Sequence, residues 1–155
     1  MYKCFASSVA FLFFSFVSFS QIQTPQPSPP STLTQKVGLV DIKIDYSRPS
    51  MRGREIFGGL IPFDEIWRTG ANQNSKITFS EDVEIEDSKV LKGTYSIYTK
   101  PSVNSWQLIL YNKSDNWGLP RNWDENLIVL NVKVESNELP FSIETFTIAI
   151  NNLSN

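Results

Sequence analysis

Residues Val40–Tyr46 read VDIKIDY, and this alternation decides the fold class. Val40, Ile42, Ile44 and Tyr46 fall on one side of an extended chain, and Asp41, Lys43 and Asp45 fall on the other. A two-residue period with β-branched apolar residues marks a strand with one face in a core. The same period returns in Lys76–Ser80 (KITFS), Val83–Glu86 (VEIE) and Thr94–Thr99 (TYSIYT). Asp87-Ser88-Lys89 has the composition of a hairpin turn between two such runs. Trp106–Tyr111 (WQLILY) is apolar on both faces, which predicts a central strand covered on each side. Leu127–Glu135 alternates again, and after Pro140 a last run places Phe146, Ile148 and Ile150 on one face. No stretch has a sustained helical period, and Phe63–Trp67 makes one turn at most. The chain is expected to be all-β, an antiparallel β-sandwich of about seven strands with two long irregular loops.

The first loop, Tyr46–Asn74, reads YSRPSMRGREIFGGLIPFDEIWRTGANQN. Neither period persists across it, and it concentrates glycine, proline, four arginines and Trp67. Long ordered connections tend to carry function. The second, Asn112–Asn126, carries Trp117 and Trp123 with Gly118 and Pro120.

Upstream of the first strand the composition changes twice. Lys3 precedes an apolar, serine-containing run from Phe5 to Phe19, and Ser18 and Ser20 stand three and one residues before a cut at Gln21. That is the layout of a cleaved secretory signal over residues 1–20. A membrane anchor needs about 20 apolar residues, which this run does not reach. Residues 21–35 (QIQTPQPSPPSTLTQ) have the composition of a disordered linker. The domain is then expected over residues 36–155, in an exported, periplasmic or extracellular protein with no transmembrane segment.

Losing Lys3, the only charged residue of the signal, takes the count from 14 to 13 basic residues against 16 acidic, and the net charge from −2 to −3. That balance argues against a nucleic-acid partner. The only cysteine is Cys4, and the chain has no histidine. The processed chain therefore has no disulfide, no thiol nucleophile and no imidazole base or metal ligand, so no metal and no cofactor are expected.

Four motifs in order, YSRP (Tyr46–Pro49), GREIFGGLIP (Gly53–Pro62), IWRTGAN (Ile66–Asn72) and LKGTYSIYT (Leu91–Thr99), resemble the domain-of-unknown-function family 2911. The resemblance spans roughly residues 33–151. It implies a secreted, Bacteroidetes-type protein with one β-rich domain and no established activity. Members of that family run on past the segment matching Phe141–Asn155, so the resemblance implies either a truncated sequence or the absence of a last edge strand.

Arg48, Arg54 and Arg68, with Trp67 and Asn72, form the first candidate ligand-binding group. A guanidinium offers a planar fork for carboxylate or phosphate, and tryptophan a flat apolar face. The competing role is scaffolding, with Trp67 plugging the end of the sandwich and the arginines satisfying loop carbonyls and carboxylates. Scaffolding carries more weight, because no catalytic partner stands beside these residues. Trp117 and Trp123 form a second candidate, an aromatic platform if exposed together and core caps if buried. Gly58, Gly59 and Gly70 are expected to serve backbone turns, since no helix start or lysine flanks them as in a phosphate loop.

Catalysis has less support. A glycosidase needs two carboxylates about 5–10 Å apart, and Asp41 and Asp45 on one strand face sit about 13 Å apart. Asp64 or Glu65 would have to meet Asp115 or Asp124 across the two loops, and a salt bridge from Asp64 or Glu65 to a loop arginine is the plainer role. The leading expectation is a non-catalytic binding module for a small polar ligand, a glycan or an envelope protein. A carboxylate-based hydrolase and a structural or assembly protein are the alternatives.

Overall fold

The computed structural model describes residues 24–151. The signal sequence read in residues 1–20 lies outside the described residues. Eight strands form two antiparallel sheets, neither closed into a barrel. The larger has the order β1-β2-β3-β6-β7-β8, from Pro30–Val37 (β1), Val40–Ser47 (β2), Ser75–Phe79 (β3), Gly93–Pro101 (β6), Ser105–Tyr111 (β7) and Ile128–Glu135 (β8). Val83–Ile85 (β4) and Ser88–Val90 (β5) form a separate hairpin.

The alternation read in β2 sets which face is buried. Ile44 pairs with Ile77, Ile77 with Tyr95, Ile97 with Leu110, and Leu110 with Leu130. Directly paired residues share a face, so these positions line up as one apolar band across the strands. The β4–β5 hairpin, through Val90, and the C-terminal Phe146, Ile148 and Ile150 pack against that band. The other face carries a smaller core of Tyr98, Ile109 and Tyr111, closed by Ile66, Trp123, Leu127 and Ile128. β7 therefore contributes Leu110 to one core and Ile109 and Tyr111 to the other, as WQLILY predicts.

Three details differ from the sequence reading. Residues 30–35 are not linker but most of β1, an edge strand paired with β2 over eight positions. Thr32, Leu33 and Thr34 suit a strand, Leu33 reaches the core, and Pro30 is tolerated as the first residue of an edge. The β4–β5 turn falls at Glu86-Asp87, both in the left-handed region (φ 47° and 61°), ahead of the Asp87–Lys89 position expected. The last apolar run does share the core, yet forms no strand beyond one bridge between Ser50 and Thr145. Its backbone is satisfied instead by the first loop and by β2. Phe146 N donates to Pro49 O (2.9 Å), Met51 N to Glu144 O (2.8 Å), and Ile148 N to the Tyr46 hydroxyl (3.3 Å).

Candidate ligand-binding site

The first loop is built on the sheet rather than beyond it. Trp67 exchanges both backbone hydrogen bonds with Thr99 of β6 (2.7 and 3.0 Å). The chain then leaves the sheet over residues 68–74 and returns at Ser75, which pairs with Ile97, two residues back along β6. Thr69, Gly70 and Asn72 all adopt positive φ in this excursion (54°, 146° and 59°). Its neck is held by Ser75 Oγ donating to Thr69 O (2.5 Å) and by the Thr69–Thr99 hydroxyl pair (3.0 Å). The GREIFGGLIP segment makes a compact turn before it, with Gly58 N on Ile61 O (2.9 Å) and Ile61 N on Ile56 O (2.8 Å). Gly59 is required there: a Cβ would stand 2.6 Å from Glu55 O.

Between these two turns and the C-terminal segment lies a groove of about 810 Å³. Trp67 stands in its wall, with Phe146 at 5.2 Å and Phe57 at 5.8 Å between ring centroids, both edge-to-face. Arg54, Glu55 and Arg68 also line it, and among the described residues Glu55 is the only carboxylate in the lining. Arg54 is anchored by Nε on Met51 O and Nη2 on Ser50 O, both 2.8 Å, and those two residues are themselves part of the lining.

The remaining candidate side chains of this loop, Arg68 among them, donate to backbone carbonyls. Arg48 donates Nε to Phe146 O (3.1 Å) and Nη2 to Thr147 Oγ1 (2.8 Å), tying down the C-terminal segment. Asn72 Nδ2 donates to Ser28 O (3.1 Å), joining the excursion to the start of β1. Arg68 Nη1 donates to Asn72 O (3.1 Å), and a methyl on Gly118 of the second loop would lie 3.0 Å from it. Trp123 stacks on Tyr111 at 4.6 Å and meets Tyr98 edge-on at 5.3 Å. Burial raises the Tyr98 phenol above its ordinary value, hydrogen bonds from Asn116 and Ser96 opposing in part. Trp117 is 69% exposed. One tryptophan caps the second core while the other faces solvent.

Two of the loop carboxylates have partners of their own. Asp64 accepts from the Ser102 hydroxyl at the β6–β7 turn, whereas Asp124 caps the short helical turn Glu125–Leu127 through Asn126 N (3.0 Å). Among the described residues no arginine forms an ion pair with a carboxylate, so the expected bridge from Asp64 or Glu65 is not made. Three or more acidic side chains placed to hold a metal ion are likewise not found among the described residues.

Phe57, Leu60, Ile143 and Phe146 also line the groove, and no local signal in the sequence marks them as site residues. Phe146 shares the apolar period of Ile148 and Ile150, the pattern of an ordinary core strand.

Residues 28–155 match the family model described as a protein of unknown function, DUF2911. The chain belongs to this family. Neither curated proteins nor solved structures include a match to it. Every groove residue named above lies within the matched span, so the groove is part of the DUF2911 domain itself.

Proposed function

We propose that the protein is an exported, non-catalytic binding module whose ligand seats in the groove beside Trp67 and Arg54. The observation that carries this reading is the groove itself. At about 810 Å³ it lies within the roughly 300–1,000 Å³ usual for small-molecule sites, and an apolar wall with few polar groups is their usual chemistry. Glycoside hydrolysis needs a second carboxylate facing the first, and Glu55 has no such partner in the lining. That favours binding without turnover. Export rests on the charge, apolar run and small residues read in residues 1–20.

A thermal-shift screen of metabolites, acyl carboxylates and oligosaccharides tests the reading, because a ligand that binds the folded state raises its melting temperature. The expected result is at least one saturable shift that is lost in Ala71→Trp or Leu60→Trp, two lining positions that a larger side chain would obstruct. Shifts that persist in both folded variants would place binding elsewhere and overturn the proposal.

A further inference from the structure

We infer that the groove takes an amphipathic monocarboxylate, with a flexible acyl body and one anionic head. This inference rests on the reading of the groove as a ligand site. The shape of the aromatic wall carries the first step. Trp67 meets Phe57, Trp106 and Phe146 at interplanar angles of 73°, 78° and 72°. The wall is therefore corrugated with ring edges, whereas a sugar or a planar heterocycle stacks on a level face. Ile56, Leu60, Ile61 and Ile143 fill much of the remaining surface, a lining suited to methylene groups. Of the lining residues Leu60 is 58% and Ile143 46% exposed, and Phe141, two residues before Ile143, is 65% exposed. Exposed apolar residues that continue a groove outward are a docking feature rather than ordinary surface.

The head group is specified by Arg54. Its Nε and Nη2 hold the guanidinium on the carbonyls of Met51 and Ser50. Among the described residues Nη1 makes no hydrogen bond, and no carboxylate pairs with this side chain. A guanidinium fixed in this way presents its remaining donors to a carboxylate at little further entropic cost. Glu55, next to it in the lining, sets the limit on charge. With Arg54 and Arg68 against Glu55 the lining carries a net charge of about +1, which suits a monoanion better than a phosphate dianion.

The test is a titration of the protein with decanoate and with decan-1-ol, both below micelle-forming concentration, followed by calorimetry. Decanoate should bind saturably and more tightly than the alcohol. Arg54→Gln should weaken decanoate about tenfold while leaving the alcohol unchanged, since one charge-assisted contact is lost. Glu55→Gln should tighten decanoate, and Ile143→Asn should weaken both probes. Equal affinity for both probes, or an Arg54→Gln effect equal on both, would overturn the assignment of the head group. Binding of a chito-oligosaccharide, abolished by Leu60→Trp while decanoate shows none, would overturn the ligand class and leave the site standing. Failure of decanoate, together with loss of every Leu60-sensitive thermal shift, would remove the site as well. Folding of each variant is checked by circular dichroism.

Discussion

Trp67 and Arg68 are neighbours in sequence, but their side chains reach different partners. The Trp67 ring packs against Phe146 and Trp106 over the larger core. Arg68 reaches Asn72 O and Gly118, on the side where Tyr98 donates to Gly118 O (3.2 Å). One backbone pairing, Trp67 with Thr99, thus fixes a groove wall and brings the Arg68 guanidinium close to the second loop at Gly118. Trp67→Ala should destabilise the fold by about 3 kcal/mol, the low end for a large aromatic because the ring is part-exposed. Urea unfolding measures this, and a loss under about 1 kcal/mol would show the ring is not a structural wall.

Arg48 is predicted to be a clasp for the C-terminal segment rather than a ligand contact. Arg48→Ala removes its bonds to Phe146 O and Thr147 Oγ1 and should cost about 2 kcal/mol. Hydrogen exchange should accelerate over residues 144–150 before it does in β7. Lysine at this position keeps the charge without the fork, so Arg48→Lys should restore little. Full rescue by lysine would mean that charge alone matters there.

The turn at Glu86-Asp87 uses two residues that disfavour positive φ. Type I′ hairpins prefer Asn-Gly at these positions. Glu86→Asn with Asp87→Gly should therefore raise stability by about 1 kcal/mol, relief of left-handed strain exceeding the extra backbone entropy of glycine. A melting temperature unchanged or lowered would show that the β4–β5 hairpin contributes little to global unfolding.

Asp45 links the edge strand to its neighbour. Part-burial pushes its carboxyl up, but hydrogen bonds from Lys43 and Thr32 together with nearby lysine charges hold it below its ordinary value of 3.8. Thr32 is its cross-strand partner, at 2.7 Å. A carboxyl whose folded value is depressed binds protons more readily when unfolded. Its contribution is whole above pH 3.8 and is lost as pH falls through the lower folded value. Wild type should lose β1 protection in that acid window, and Asp45→Asn should show a flatter profile there.

Tyr98 acts at the other end of the scale. Its phenol is raised by burial, so the unfolded chain ionises first once pH passes the ordinary value of 10.0. Stability should fall with rising pH above that point. Tyr98→Phe should remove the alkaline decline, at the cost of the bond to Gly118 O.

Much of the sheet could be read directly because its strands carry their own faces. Ile42, Ile44 and Tyr46 need no partner to reveal which side is buried, and WQLILY announces two covers. β1 escaped because proline and serine dominate the composition of its surroundings, while its pairing is dictated by β2. The C-terminal run misled for the opposite reason. Its apolar pattern suits a strand, but Arg48 and Tyr46 take up backbone groups that a neighbouring strand would otherwise satisfy. Arg54 and Trp67 stood out in one interval, yet nothing local tells that Arg54 flanks a groove while Arg48 serves as a clasp. That distinction depends on residues 143–147, some 90 positions away.

The excursion between Trp67 and Ser75 stands like an arch with both feet on β6, at Thr99 and Ile97. Those footings are about 7 Å apart, a gap set by the strand and independent of what spans it. Lengthening the span costs little, since closure entropy grows only with the logarithm of loop size. The arch is thus a replaceable part, and one exchanged between homologues would alter the groove's margin without shifting the register of a single strand.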